Sequence, residues 1–571
     1  MHLENKNYEI FKLPINYIQN KKELPDNLKT DLELLKTVEK NNNSMYQNLF
    51  NPTNKLGNEC LQEWGKYYTS DKQFLLDSQK LYSNSTNLNY DNFIVNKMNT
   101  IWSNIKKETN FYEKYEYVDI EKLMWLNNSS KFLCLMSFYN LSSPVLNLLA
   151  PVFLCFIPFI LLKMMNQKIT FQNYSLLLIE QIKKHAIGRL FYSFNQVGLG
   201  QRLYLLLMVG LYFYNIYQNI LTCIKFYNNT NQITDYFDNT KSYLEYTIES
   251  MKYFINNTKI LKTYKKFNSS LVIYKDKLKD FYEKIKIIPK NAISPINITY
   301  IGKIMTYFYN LYENQETSQM FEFSFGFNGY VNTIYGLKNN INSKKINKVK
   351  YSKKKNKFKG LYHPSIKQNI VKNTVDLKKN IIITGPNAAG KTTILKATAL
   401  NVLFCHQIGY GYFKKGNIKL YDYIHCYINI PDTSSRDSLF QAEVRRCKNI
   451  LDTIENNKNL NHFCIFDELF SGTNPYEAIS SGYGYLNHMS KNKNITFILT
   501  THFMRLCKLF NDNKNIINKN MNSISKNDAI IYTYKIKNGI SKIKGGISVL
   551  KQFNYSNNII ASAKNILNNL D

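Results

Sequence analysis

The chain has 571 residues, enough for more than one domain, and 44% of them are apolar, so real cores are expected. Its formal net charge of +33 makes polyanions such as nucleic acid or anionic membrane surfaces natural partners, although Lys, Asn, Ile and Tyr, all heavily used, share AT-rich codons. The nine cysteines are scattered and form no C-x-x-C pair, which speaks against a disulfide framework or a zinc site and for a reducing intracellular compartment.

Residues 1–130 are polar and read as helices with loops, broken at Asn41-Asn42-Asn43 and around Ser83–Asn89. The first residues carry no secretory signal. Residues 131–230 read as an apolar helical segment with two charge-free stretches. Val145–Leu162 holds Asn147, Pro151 and Pro158 and is short for a bilayer span. Leu203–Ile224 is long enough to cross one. Two readings stand: buried helices of a large α-helical region, or membrane association resting mainly on the second stretch. The connecting segment holds Lys163, Lys168, Lys183, Lys184, Arg189 and Arg202 against Glu180. That charge opposes a simple two-span hairpin with both termini inside.

Residues 231–357 return to amphipathic helical patterning, with Leu244, Ile248, Met251 and Ile255 on one face and Glu245, Glu249 and Lys252 off it. This lever- or core-like region ends in Lys344–Lys359, which carries nine lysines and no acid. A solvated linker or hairpin tip is expected there; a phosphate-contacting strip is the other reading. From 358 to 571 strand-like apolar runs alternate with helices. The expected fold is an α/β P-loop NTPase, an ABC-type ATPase head at the C-terminus, behind a mostly α-helical N-terminal region.

The strongest signal lies at Ile381-Ile382-Ile383 followed by Thr384-Gly385-Pro386-Asn387-Ala388-Ala389-Gly390-Lys391-Thr392-Thr393. A strand, a glycine loop of the form G-x-x-x-x-G-K-T and a helix start are the parts of a phosphate-binding loop. Glycines let backbone N–H groups close around phosphates, and the helix points its positive end at them. Lys391 is expected to reach the β- and γ-phosphates of ATP, and Thr392 to bind Mg²⁺.

Phe463-Cys464-Ile465-Phe466-Asp467-Glu468 is an apolar strand delivering two carboxylates. Asp467 is expected to hold Mg²⁺ through water, and Glu468 to polarise the attacking water. A third strand, Ile495–Thr500, runs into Thr501-His502, where the histidine can sense the γ-phosphate. No Leu-Ser-Gly-Gly-Gln stretch is present, which weakens a transporter reading.

These blocks, in this order, resemble the ATPase domain of the MutS family. His363-Pro364 with Asn373 resembles the family's approach to the first strand, and Gly385–Thr393 its phosphate loop, including the Pro-Asn pair. Ser438-Leu439-Phe440-Gln441-Ala442-Glu443 resembles its Ser-Thr-Phe-x-x-Glu segment, and Asp467–Asn474 the block from Asp-Glu to Gly-Thr. Thr501-His502 resembles its histidine switch; Lys544–Val549 with Ile559–Ala563 resembles its closing segment. The resemblance implies a homodimer of ATPase heads in which Ser438 reaches the partner's γ-phosphate and Asn387 helps bind phosphate and position water.

Departures from the family are as informative. Repair-type MutS proteins read mismatches with a Phe-x-Glu wedge near the N-terminus. Phe111-Tyr112-Glu113 and Phe281-Tyr282-Glu283 occur here, but chance supplies such triplets in a chain with 35 Phe and 44 Tyr. Gly472-Thr473-Asn474 replaces the Gly-Thr-Ser of repair enzymes. The expected function is an ATP-driven, dimeric DNA clamp acting in repair or recombination, with mismatch specificity in doubt. The alternative is a membrane-associated MutS-related ATPase that does not recognise mismatches.

Overall fold

The computed structural model describes residues 7–39, 41–84, 90–165, 170–184, 186–192, 194–196, 198–290, 297–428, 438–526, 529–543 and 546–569. The break at 85–89, the stretch 432–437 before Ser438, Lys168, and Lys544-Gly545 of the closing segment lie outside these residues. The chain groups into two units, neither of them one continuous stretch: 93–249 with 276–321, and 1–92 with 250–275 and 322–571. The boundaries read from sequence, at 130, 230 and 357, are linear, and this grouping is not.

The unit formed by 93–249 and 276–321 is helical. Helix α1 (Ser130–Met164) starts at Ser129, whose hydroxyl accepts from Phe132 N. It runs unbroken through Pro144, Pro151 and Pro158. Helix α2 (Leu199–Thr258) supplies residues to this unit as far as Glu249. Helix Ile301–Glu313 crosses α1 at Gly302, where an added Cβ would lie 2.0 Å from Ser130 O. Phe111 is fully buried and stacks on Tyr312 with ring centres 3.8 Å apart, and Phe281 is buried edge-on to Phe321. Both Phe-x-Glu aromatics are therefore core residues. On α2, Leu244 and Met251 are buried, Ile248 and Ile255 half-buried, and Glu245, Glu249 and Lys252 exposed, so the predicted apolar face is met in part.

The other unit is built on a six-stranded sheet. Its strands are β1 (Asn380–Thr384), β2 (Tyr423–Tyr427), β3 (His462–Asp467), β4 (Ile495–Thr500), β5 (Ile516–Lys526) and β6 (Ala529–Asn538). The spatial order is β6-β5-β1-β4-β3-β2, all parallel except β6, which returns antiparallel to β5. Continuous apolar runs make this possible. Ile381-Ile382-Ile383, Phe463–Phe466 and Phe497-Ile498-Leu499 are all buried, as parallel strands covered on both faces require. Helices α3 (Lys391–Gln407), α4 (Leu439–Asn456) and α5 (Pro475–Ser490) connect them. Parallel order puts the C-terminal ends of β1, β3 and β4 on one edge, where ligands of open α/β sheets bind.

The lysine-rich stretch 344–359 is not a linker. It supplies strands Asn347–Tyr351 and Lys357–Leu361, which lie on either side of Lys415–Ile418 in a five-stranded sheet. Val349 and Phe358 point into the core while neighbouring lysines face out, so period-two alternation and not net charge decides the structure.

The N-terminal residues are also part of this unit. Gln407, at the end of α3, donates to Trp64 O and Tyr67 O and bonds the Tyr46 hydroxyl. Gln79 Nε2 donates to Val349 O and Gly409 O.

Candidate active site

β1 runs into the loop Gly385–Gly390, and α3 begins at Lys391. Gly390 has φ of +90°, which a side chain rarely adopts, and an added Cβ there would lie 3.2 Å from the Tyr534 ring. Gly385, Pro386 and Ala389 are buried, while Asn387, Ala388, Thr392 and Thr393 are exposed. Lys391 is buried, and its ammonium turns back into the loop to donate to Gly385 O at 3.1 Å and Pro386 O at 3.3 Å. Burial holds its pKa below the usual lysine value, while Glu468 and Asp467 pull the other way.

Asp467 ends β3 in register with Thr500 of β4, and Thr500 is in register with Ile383 of β1. The aspartate is thus brought to the loop by strand order. Its carboxylate accepts from Thr392 Oγ1 at 2.8 Å and from the Thr500 hydroxyl. Glu468 follows with φ of +52°, a left-handed conformation that is costly for a residue with a side chain.

Glu468 Oε1 lies 2.8 Å from His502 Nε2, and the same nitrogen lies 3.1 Å from Lys391 Nζ. The bond from His502 holds the Glu468 carboxyl below its ordinary pKa against the opposing effect of burial, with further help from the His502 and Lys391 charges. One imidazole nitrogen cannot donate to the carboxylate and accept from the ammonium at once. His502 therefore has two exclusive hydrogen-bonding states.

Lys391, Thr392, Asp467, Glu468 and His502 thus form one cluster. Ser438 is not part of its hydrogen bonds among the described residues. Its hydroxyl accepts from Gln441 N at 3.3 Å while Gln441 Oε1 accepts from Ser438 N at 3.0 Å, a reciprocal cap on α4.

A residue outside the sequence-derived site set joins α4 to the cluster. Buried Glu443 accepts from Ser471 N, Ser471 Oγ and Gly472 N at 3.0–3.1 Å, fixing the turn that follows Glu468. Gly472 is required by the fit: an added Cβ would lie 2.9 Å from Leu439 Cγ and Phe440 N. The available signal was the place of Glu443 at the end of the Ser438–Glu443 block. Asn474 caps α5 by accepting from Glu477 N, a role Ser fills about equally well.

Two cavities adjoin the loop. One of about 190 Å³ is lined by Gly385, Pro386, Asn387, Thr501, His502 and Ser541 among others. The second, of about 290 Å³ and largely apolar, is lined by Tyr362, His363, Gly390, Thr393, Met521 and Tyr534 among others. Asn373 holds the wall of the second by donating to Tyr534 O and accepting from Ile536 N.

A loop, two carboxylates and a histidine gathered on the edge of a parallel sheet are the parts of an ATPase-type domain. Its kind is given by comparison: residues 381–571 match the family model of MutS domain V. The chain is 30% identical over 213 residues to the DNA mismatch repair protein MutS of Persephonella marina, covering 36% of this chain and 24% of that protein. It is 30% identical over 197 residues to the protein of that name from Prochlorococcus marinus, covering 34% and 21%. With the Finegoldia magna protein the identity is 31% over 192 residues, covering 33% and 22%. The chain is MutS-like in its C-terminal third, and the matched part spans less than a quarter of the length of these relatives.

Proposed function

We propose that the protein is a Mg²⁺-dependent ATP hydrolase of the MutS type with a P-loop, working as a homodimer on DNA in repair or recombination. The observation that carries this reading is the shared cluster of Lys391, Thr392, Asp467, Glu468 and His502. Loop amides and the buried Lys391 ammonium fit phosphate oxygens, and the 190 Å³ cavity beside Gly385–Asn387 leaves room for them. The Thr392 hydroxyl and Asp467 carboxylate are hard oxygen donors that fit Mg²⁺. When bound, the ion neutralises charge on the phosphate oxygens.

Glu468 is the group that orients and polarises the attacking water: its carboxylate is ionised at neutral pH and accepts a hydrogen bond from that water, while the bond from His502 lowers its pKa and with it its basicity. His502 reports on the phosphate end. Once Lys391 turns to phosphate, its competing bond to Nε2 is released and His502 is free to hold Glu468. The largely apolar cavity with Tyr362 and Tyr534 suits the base of the nucleotide. Ser438, exposed at the start of α4, and Asn387, exposed on the loop, are the groups offered to a second head and to the attacking water.

DNA as partner is supported by the +33 charge and by the relatives' name. Mismatch reading is left out, because Phe111 and Phe281 are core residues. The eight unpaired cysteines among the described residues support an intracellular, reducing setting. The test is ATP turnover with Mg²⁺ and with chelator, in the absence and presence of duplex DNA at two salt concentrations. Expected are Mg²⁺-dependent turnover, its loss in Glu468→Gln with ATP binding kept, and DNA stimulation that fades with salt. Turnover indifferent to every DNA would leave the hydrolase and remove the DNA clamp.

A further inference from the structure

Among the described residues, each of α1 and α2 packs one face, with Leu133, Ser137 and Leu205 buried, and exposes large apolar side chains over the rest of its surface. Leu148 is 57% exposed, Phe156 54%, Leu207 59% and Phe213 60%. A protein in water rarely shows contiguous apolar surface beyond a few hundred Å². Among the described residues one segment, Ser130–Ala150, is by length and composition apolar enough to cross a membrane, with mean hydropathy 1.4 and 17% of its most apolar window buried, and 203–224 of α2 joins it through the contacts below. A soluble core helix would be mostly buried, and a signal sequence would stand near the N-terminus. This helix does neither.

The two helices run antiparallel. The Tyr212 hydroxyl donates to Asn147 O at 3.2 Å, and the Cys223 thiol donates to Leu141 O at 3.3 Å. That register lays the charge-free stretch 203–224 beside the charge-free interior of α1, which runs from 132 to 162. Arg202 and Lys163 then flank one end, Lys225 and Lys131 the other. The twenty-two uncharged residues between Arg202 and Lys225 make about 33 Å of helix, against a hydrocarbon thickness of about 30 Å.

Side chains occupy two of the carbonyls that the prolines leave free. Pro144 and Pro151 lack the N–H groups that would bond Asn140 O and Asn147 O. Ser143 Oγ donates to the first carbonyl and Tyr212 to the second, each at 3.2 Å. Ser137, Ser142 and Thr222 return their hydroxyls to carbonyls four residues back, and Asn219 bonds Asn215. These bonds leave the helix pair compatible with hydrocarbon, though Thr398 of α3 makes the same return bond and Asn140 Nδ2 is buried without a partner, so the apolar surface and not the hydroxyls carries the argument. The exposed apolar side chains lie on the outward arcs of both helices; a partner docked on one face would cover only one arc, whereas hydrocarbon covers both.

We propose that α1 and α2, over residues 132–162 and 203–224, form a hairpin that inserts into the hydrocarbon of a lipid bilayer. The basic connecting segment bears on which way the hairpin points, not on whether it inserts, and anionic headgroups suit it at either face. The proposal deepens the membrane-associated alternative and rests on neither the ATP nor the DNA reading.

The test is flotation of the detergent-purified full chain with vesicles of phosphatidylcholine and phosphatidylglycerol. Expected is co-flotation that survives high salt and alkaline carbonate and is undone by detergent. Leu148→Lys combined with Leu207→Lys should lower the floated fraction at least about tenfold while keeping the melting shift caused by ATP. Hydrogen exchange on the unaltered chain gives a reading independent of any variant: amides of 203–224 should be protected in vesicles. Stripping by salt or alkali, a detergent-free soluble oligomer that leaves lipid alone, or unprotected amides would each overturn the proposal. Loss of ATP turnover with flotation intact would count against the hydrolase reading only.

Discussion

Glu468 Oε1 and His502 Nε2 lie 2.8 Å apart, at the ends of adjacent parallel strands. The pairing predicts how activity responds to acid. The folded pKa of Glu468 is lowered, so its contribution is complete above the ordinary carboxylate range and is lost as pH falls through the depressed value. His502→Ala removes the main cause of that depression. The acid limb of the ATP hydrolysis profile should then move to higher pH, with turnover at neutral pH also reduced. An unmoved acid limb would separate Glu468 from the water-polarising role or His502 from its control.

Lys391 is held where its charge is unwelcome without phosphate. Its lowered pKa means that the folded state binds the proton less well than the unfolded chain does, so nucleotide-free stability rises as pH passes above the folded pKa. Lys391→Met removes this charge. In a thermal melt without nucleotide the variant should be at least as stable as the parent near neutral pH. The stabilisation that ATP confers on the parent should disappear.

Glu443 predicts a structural effect with a catalytic consequence. Its buried carboxylate accepts three hydrogen bonds from Ser471 and Gly472. Glu443→Ala leaves these donors without a partner and should cost about 2–4 kcal/mol in urea unfolding. Glu443→Gln should cost less, because one carbonyl oxygen remains. Turnover should fall in both variants, since the turn they loosen follows directly on Glu468.

Ser438 separates a cap from a reach across a dimer. As a cap alone, Ser438→Ala should cost about 1 kcal/mol, and Ser438→Asn almost nothing, because Asn caps as well. If the hydroxyl also serves a partner's γ-phosphate, Ser438→Asn should keep stability and ATP binding and lose turnover at concentrations where the heads pair. Unchanged turnover in that variant would confine Ser438 to the cap.

The phosphate loop, the acidic strand end and the threonine–histidine pair were legible because each is a local object. A strand, a turn and a helix start fall within some twenty residues, and the glycines, lysine and carboxylates carry their chemistry wherever the segment lies. Lys344–Lys359 was misread as a linker because its charge masked the alternation that puts Val349 and Phe358 in a core. Sequence alone also does not show that Ser143 and Tyr212 bond the carbonyls which the prolines of α1 leave free.

By itself the sequence determined the three strands that end at Thr384, Asp467 and Thr500, the loop chemistry and the MutS-like order of blocks, all set by neighbours along the chain. Only the tertiary structure decided which of those ends meet. Sheet order brings Asp467 to Thr392 and His502 to both Glu468 and Lys391. Packing also assigns residues 1–92 to the unit that holds this site and lets Glu443 lock the turn beside it. These pairings join residues dozens to hundreds of positions apart, and their geometry follows from how buried strands and helices fill a common core.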